Sequence, residues 1–428
     1  MATTIIGLML GFLFIGFPMM VPLLMTSLVL FLVFFSALDP AIMVQQMIGG
    51  IKPAALVAVP MFIFAADIMT RGQAANRLLD VVMAFVGHLR GGLSITSAVS
   101  CTLFGAVSGS TQATVVAIGA PIRPKLLQAG YPDSFTTALI INASDIALLI
   151  PPSIGMIVYG VVSGTSIGEL FLAGVGPGLL ILALFCAYCY IAAIRMQIPT
   201  LPKTSWPRRW QAVQGAILPL GFPLIIIGGI YAGVFSPTEA AAASVLYALI
   251  LEVFAFRQLS LTDIPAIALS TGVVTAVVFI LVGAGAAFSW IISFAQLPQT
   301  LIHDVLALDA TSGTFRILVT ISIAFFIGCM FVDPIVVILI LTPIFHPVVV
   351  AAGIDPVLVG VVVTLQVAIG SATPPFGCDI FTAVAIFRRP YLEVIRGTPP
   401  FIAMLLFSSI LLICFPQIAL FLRDLAFG

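Results

Sequence analysis

Charge is what this sequence has least of: Asp, Glu, Lys and Arg together supply 7% of its 428 residues, against 61% hydrophobic ones. Soluble domains carry roughly 25% charged residues, so a water-solvated globule is excluded and a membrane-embedded chain follows. Sixteen Lys plus Arg balance sixteen Asp plus Glu, leaving no basic surplus to gather along a phosphate backbone, and nucleic acid is not expected as a partner. The three histidines, His88, His303 and His346, are dispersed without metal-ligand spacing. The six cysteines (101, 186, 189, 329, 378 and 414) all sit in apolar runs, and Cys186 and Cys189 lack the second ligand pair of a zinc site. They read as packed thiols. There is no HExxH, GxSxG or phosphate-binding loop, and Gly283-Ala-Gly285 precedes no strand-helix unit. No enzyme and no cofactor are expected. The first apolar run starts at residue 5 without a basic n-region or a small-residue cleavage site, and is expected to remain as a span.

Long apolar runs are what the chain has instead. A helix needs about 20 apolar residues to cross the hydrocarbon core, which predicts spans near 3–17, 21–38, 53–70, 135–162, 170–194, 212–235, 238–256, 269–295, 357–387 and 400–422. Two further runs, 91–128 and 313–350, are interrupted at their centres by "VSGSTQ" and "FVDPI". Those residues suit turns rather than helix interiors, so each run is read as a re-entrant helical hairpin. Lys and Arg in short loops stay on the cytoplasmic side, and the acid-free loop 196–211 carries Lys203, Arg208 and Arg209 just after Arg195. Counting spans from it puts Arg71, Arg77, Arg90, Arg123, Lys125, Arg388, Arg389 and Arg396 inside and Asp304 and Asp309 outside. On this count the two hairpins enter from opposite faces.

An internal repeat supports that inversion. Gly105, Pro124, Gly130, Pro151, Pro152, Gly174 and Pro177 recur without a gap, 223 positions on, as Gly328, Pro347, Gly353, Pro374, Pro375, Gly397 and Pro400. The first repeat is taken as 1–195, containing hairpin 91–128, broken helix 135–162 and helix 170–194. The second is taken as 212–428, containing hairpin 313–350, broken helix 357–387 and helix 400–422. Each twin proline removes backbone donors within an apolar run, and the freed carbonyls are tolerated only where protein or a water-filled cavity surrounds them. Inverted repeats with interrupted helices are the architecture of secondary transporters whose sites lie near the bilayer midplane. Residues 76–90, and "TLIHDVLALD" in the second half, read as interfacial helices joining a fixed scaffold to a moving part.

The stretches "FGAVSGSTQATVVAIGAPIRPKLLQAGYPDSFTTALI", "LIPPSIGMIVYG", "FVDPIVVILILTPIFHPVVVAAGIDP" and "AIGSATPPFGCDIF" resemble the large membrane subunit of tripartite ATP-independent periplasmic (TRAP) transporters. The resemblance runs over almost the whole chain. It implies an all-α polytopic inner-membrane protein of the elevator-type ion transporter fold, with sodium as coupling ion where each hairpin meets its broken helix. It also implies a small four-helix membrane subunit and a periplasmic solute-binding protein as partners, with lipid around them. The implied solute is small and organic, mostly carboxylate-bearing and sometimes zwitterionic. A stand-alone proton- or sodium-coupled organic-anion permease is the alternative. Two positions depart from the family pattern: Asp145 lies where a Gly-rich approach is common, and Asp379 where asparagine is usual.

Hydroxyls, amide oxygens and freed carbonyls are hard ligands suited to sodium. The first candidate set is Ser108, Gly109, Ser110 and Thr111 at the hairpin tip, facing Asn142, Ser144, Pro151 and Ser153. The second is Asp333 and Pro334 with Gln366, Gly370, Ser371, Thr373 and Pro374. Asp333 could alternatively cap the helix that begins at Pro334. The solute is expected against Ser110, Asp145, Pro152, Pro375 and Asp379. A carboxylate within a span costs at least ~2.5 kcal/mol and marks a cavity, relay or ion path. Helix N-termini at the tips can hold an anion without arginine.

Overall fold

The computed structural model describes residues 2–297 and 312–427, and within them every regular element is helical. "TLIHDVLALD", with Asp304 and Asp309, lies outside the described residues. Seven helices among those described are long and apolar enough to cross a bilayer, the two arms of the hairpin expected at 313–350 among them, and a bent pair makes an eighth if it is counted as one span.

The first half opens with α1 (Ala2–Phe14), α2 (Met20–Phe34), α3 (Ala41–Ile51) and α4 (Ala58–Arg71). Next come an arm helix, α5 (Ala74–Val86), and hairpin 1, made of α6 (Gly92–Ser108) and α7 (Thr111–Gln128). The broken helix follows as α8 (Asp133–Ser144), a 3-10 turn over Asp145–Leu148, and α9 (Ile154–Ser163), and the half closes on α10 (Ile167–Arg195). The second half runs through α11 (Trp206–Tyr231), α12 (Pro237–Leu249) and α13 (Ile264–Phe294) to hairpin 2, α14 (Thr314–Phe331) and α15 (Pro334–Ala351). Its broken helix is α16 (Pro356–Ser371) and α17 (Cys378–Phe387), followed by α18 (Tyr391–Ile395), α19 (Pro399–Cys414) and α20 (Gln417–Phe427).

Four elements differ from the sequence reading, and proline accounts for two of them. The expected span at 400–422 bends by 56° between α19 and α20, where Pro416 removes a backbone donor and obstructs the preceding turn. The single helix α13, moved back by the repeat offset, covers both α3 and α4, which Pro53 separates. Helix α3 is therefore an element that the span count overlooked. The runs expected to span at 3–17 and 21–38 form helices of 13 and 15 residues, α1 and α2, which at 1.5 Å per residue reach only about 20 and 22 Å.

Helix α10, about 43 Å long at 29 residues, gives the molecule its polarity. Near its C-terminal end, Cys189 and Ala193 pack on Gly91 at the base of hairpin 1. At its N-terminal end, Glu169 and Asp355 both reach Arg423 of α20, and Asp355 caps the helix that follows hairpin 2. The hairpin bases thus sit at opposite ends of one spanning helix, which makes the repeats inverted. The hairpin 1 end carries its own ion-pair group, in which Asp133 takes Arg123 at 2.6 Å and Arg389 at 2.7 Å.

The arm helix is fixed at its N-terminus by a buried acid. Glu252, in a π-helical turn at the end of α12, accepts from the backbone N–H groups of Gln73 (3.0 Å) and Ala74 (3.1 Å). Those are orphan donors of the first turn of α5, and a carboxylate there also meets the positive end of the helix dipole. Arg77 lies over the Phe256 ring, 3.8 Å from its centroid.

Candidate functional site

Both hairpin tips end at the breaks of the discontinuous helices. At the first, Gly109 adopts φ +60°, which only glycine holds without strain. A Cβ there would fall on the Pro152 carbonyl oxygen, 3.0 Å from its carbon. Just below, Gly105 lets hairpin 1 approach the 3-10 turn, since a Cβ would lie 2.7 Å from Cα of Ala147. The second repeat makes the equivalent contact with the roles exchanged: Gly370, the counterpart of Ala147, packs against Cys329, beside Gly328, the counterpart of Gly105. The Met330 carbonyl accepts from Phe376 N–H at 3.2 Å, tying the second tip to its break. Both twin-proline peptide bonds, Pro151–Pro152 and Pro374–Pro375, are cis.

Each tip is built around the cap of its second helix. Ser110 Oγ accepts from Ala113 N–H (3.4 Å), and its repeat partner Asp333 accepts from Ile335 N–H through Oδ1 (2.9 Å). Asp333 therefore does the capping work immediately before an N1 proline. Ser108 Oγ lies 3.2 Å from the Ser110 carbonyl and 3.0 Å from Thr114 Oγ1, so Thr114, which sequence reasoning did not single out, closes the tip. Its only signal in the sequence was a hydroxyl one helical turn beyond Ser110.

Around the first break, Pro151, Pro152 and Ser153 are all buried, and Ser153 caps α9 by accepting from Met156 N–H at 3.3 Å. Ser144 turns its hydroxyl to the Ile140 carbonyl (2.7 Å). Asn142 donates to the Ala138 carbonyl (2.8 Å) and leaves its amide oxygen buried without a partner. Ser97 and Ser100 on hairpin 1 also keep buried, unpartnered hydroxyls. Those two were not anticipated, because serines within a hairpin helix carry no spacing signal.

The second break is less enclosed. Ser371 and Thr373 are buried, and the Thr373 hydroxyl bonds the Ile369 carbonyl. Gln366 instead directs its amide nitrogen onto Ser409 of α19. Pro374 is half-buried, Pro375 is exposed with its carbonyl accepting from Tyr391 Oη (2.8 Å), and Phe376 is 58% exposed. Pro334, Ser110 and Asp333 are partly exposed, and Gln112 and Phe331 are open. A rim between the two tips therefore reaches the surface, while the hydroxyls beneath it do not.

The deepest feature joins the two halves. Thr111 Oγ1 donates to Asp379 Oδ1 at 2.7 Å, and Ser371 Oγ lies 3.3 Å from Asp145 Oδ1. The two carboxyl groups lie close enough to interact, and the Ser371 hydroxyl beside Asp145 also bonds the Ala368 carbonyl at 2.8 Å. Asp145 and Asp379 are 1% and 0% exposed, respectively. Chemically the site offers buried hydroxyl, amide, carbonyl and carboxylate oxygens, the kind of ligand that hard cations take, beneath a partly open rim.

The family model described as "Tripartite ATP-independent periplasmic transporter, DctM component" matches residues 6–418. The chain is 68% identical to the ectoine/5-hydroxyectoine TRAP transporter large permease protein UehC of Ruegeria pomeroyi, over the full length of both. It is 65% identical to the ectoine TRAP transporter large permease protein TeaC of Halomonas elongata, again over both full lengths. The sialic acid TRAP transporter large permease protein SiaM of Vibrio cholerae is 35% identical, over 98% of this chain and 97% of that one. Among solved structures, the Alcanivorax borkumensis YdaH transporter matches with a TM-score of 0.62 at 17% identity, covering 88% of this chain and 87% of that one, a likeness of fold.

Proposed function

The chain belongs to the DctM family of TRAP transporter large permeases, and on that premise we propose that it is the sodium-coupled, elevator-type importer subunit for ectoine and 5-hydroxyectoine. Membership makes it a multi-pass inner-membrane transporter subunit that works with a small membrane subunit and a periplasmic binding protein. The solute rests on one observation: two full-length relatives above 60% identity both carry ectoine in their names. Ectoine is a zwitterion, so a site without arginine suits it, with its carboxylate offered to the N-terminal N–H groups of α7 at the rim.

Coupling is supported by the way each tip abuts a break. Sodium held between a hairpin tip and its break favours the docked geometry, and a ligand shifts a conformational equilibrium only through such differential affinity. The helices of the hairpins and breaks, carried past α2 to α4 and α11 to α13, would then take ion and solute across together. Proteoliposomes holding this permease with its small subunit, supplied with the cognate binding protein, should accumulate ectoine only under an inward sodium gradient. Uptake indifferent to sodium refutes the coupling, uptake without the binding protein refutes the tripartite role, and uptake of C4-dicarboxylates in place of ectoine refutes the solute.

A further inference from the structure

We propose that Asp145 and Asp379 together form an additional sodium site, a single centre shared between the two halves that draws Thr111 from the first tip and Ser371 from the second break. The inference rests on the sodium-coupled reading above and adds one ion to it.

The first observation is charge. Two carboxyl groups meet in the interior of a membrane protein, and neither has an ion-pair partner among the described residues. Buried charges persist when they are paired or coordinate a cation. Two adjacent carboxylates also disfavour each other's ionised form, so the pair as built calls for one positive charge between its members.

The second observation is unsatisfied oxygen. Asp379 Oδ1 is occupied by Thr111 and Asp145 Oδ1 is approached by Ser371, but Oδ2 of each is buried without any hydrogen-bond partner. Buried polar atoms are almost always satisfied, and here two carboxyl oxygens on adjacent side chains have no donor to accept from, a gap that one cation or one shared proton would close. With the Thr111 and Ser371 hydroxyl oxygens beside them, they make an all-oxygen set for a small hard cation.

The third observation is where these residues fall in the repeat. Moved by the repeat offset, Asp145 lands on Ala368 and Asp379 lands on Met156. Neither acid has a polar counterpart, so the pair is not a duplicated feature of the hairpin-and-break scheme. It forms only when the break of one half lies against the break of the other, with Thr111 bringing in the tip of hairpin 1. A cation bound there fastens three elements at once. The depth also separates it from solute, since the rim is open at Gln112 and Phe376 whereas both acids are sealed.

The test uses the intact transporter, reconstituted with its small subunit and binding protein, and reads sodium-to-solute stoichiometry from reversal potentials. Asp145→Asn, Asp379→Asn and the double variant keep shape while removing charge. Each is expected to lose one sodium per solute and still need sodium for the rest. Wild-type stoichiometry in the double variant overturns the proposal. A wild type indifferent to sodium instead overturns the coupling reading, a distinct result. Should the variants fail to fold, infrared difference spectra of the purified wild type and of Asp333→Asn, sodium replacing choline, decide. A shift of carboxylate stretching bands that persists in Asp333→Asn supports the site. A protonated-carboxyl band present with sodium bound assigns the pair to a proton and overturns it.

Discussion

Replacing Gly109 by alanine tests the docking of the first tip on its break. Two penalties arise, and they separate. Holding a non-glycine residue at φ +60° costs about 1–2 kcal/mol, a strain that stays with the tip whether or not it is docked. The steric penalty is different, because the added Cβ falls on the Pro152 carbonyl only when tip and break are together. Overpacking of that kind costs about 1–3 kcal/mol, since carbonyl and ring belong to a buried twin-proline segment with no flexible end to yield. Falling on the docked state alone, it weakens sodium by about 5- to 150-fold. Gly164 supplies the control, being at φ +71° with nothing within 4 Å of an added methyl group, so Gly164→Ala meets the backbone strain without the clash. The assay is the initial rate of ectoine uptake against sodium concentration in proteoliposomes holding the complete transporter. Gly109→Ala should raise the half-saturating sodium concentration within that range, and Gly164→Ala should leave it unchanged while lowering thermal stability. Equal sodium dependence in Gly109→Ala and wild type, or equal shifts in both variants, refutes the reasoning.

Further expectations concern the joints around the site. Glu252→Ala strips two charge-assisted hydrogen bonds from the start of α5, each worth about 1.5–3 kcal/mol, so thermal unfolding in detergent should move down by several degrees, and by less in Glu252→Gln. Asp133→Asn leaves Arg123 and Arg389 without their shared carboxylate and should destabilise by about 1–2 kcal/mol, read by the same melt and diminished in high salt. Arg423→Ala releases Glu169 and Asp355 at the opposite face and should cost a similar amount; an unchanged melting temperature would mean that these surface pairs are fully screened. Gly370→Ala drives a methyl group onto Cys329, 2.9 Å from its carbonyl carbon, and should raise the half-saturating sodium concentration as Gly109→Ala does.

Much of the architecture was legible because it is written in residues that act locally. Glycine at positive φ and proline without an N–H impose turns and breaks wherever they occur, so hairpins expected at 91–128 and 313–350 appear as helix pairs over 92–128 and 314–351. Where the local signal was weaker, the reading slipped. Pro53 and Pro416 each divide an apolar run that hydropathy alone joins or truncates, because a window of mean hydropathy does not register one missing donor. The tip caps were partly legible: Asp before an N1 proline announces a cap, and Asp333 is one. Gln366 was not, since its amide nitrogen bonds Ser409, a residue 43 positions away on another helix.

Composition, repeat offset and loop charge by themselves determined a membrane-embedded chain, two related halves and their opposed entry, since each depends on transfer energies and backbone geometry that a short segment carries alone. Which oxygens meet was decided only by the tertiary structure. Asp145 and Asp379 stand 234 positions apart, at places the repeat does not relate, and only the packing of one broken helix against the other brings their carboxyl groups together. The open rim and the sealed floor likewise arise from hairpins crossing between halves. Burial is a property of neighbours, and no run of residues contains its own.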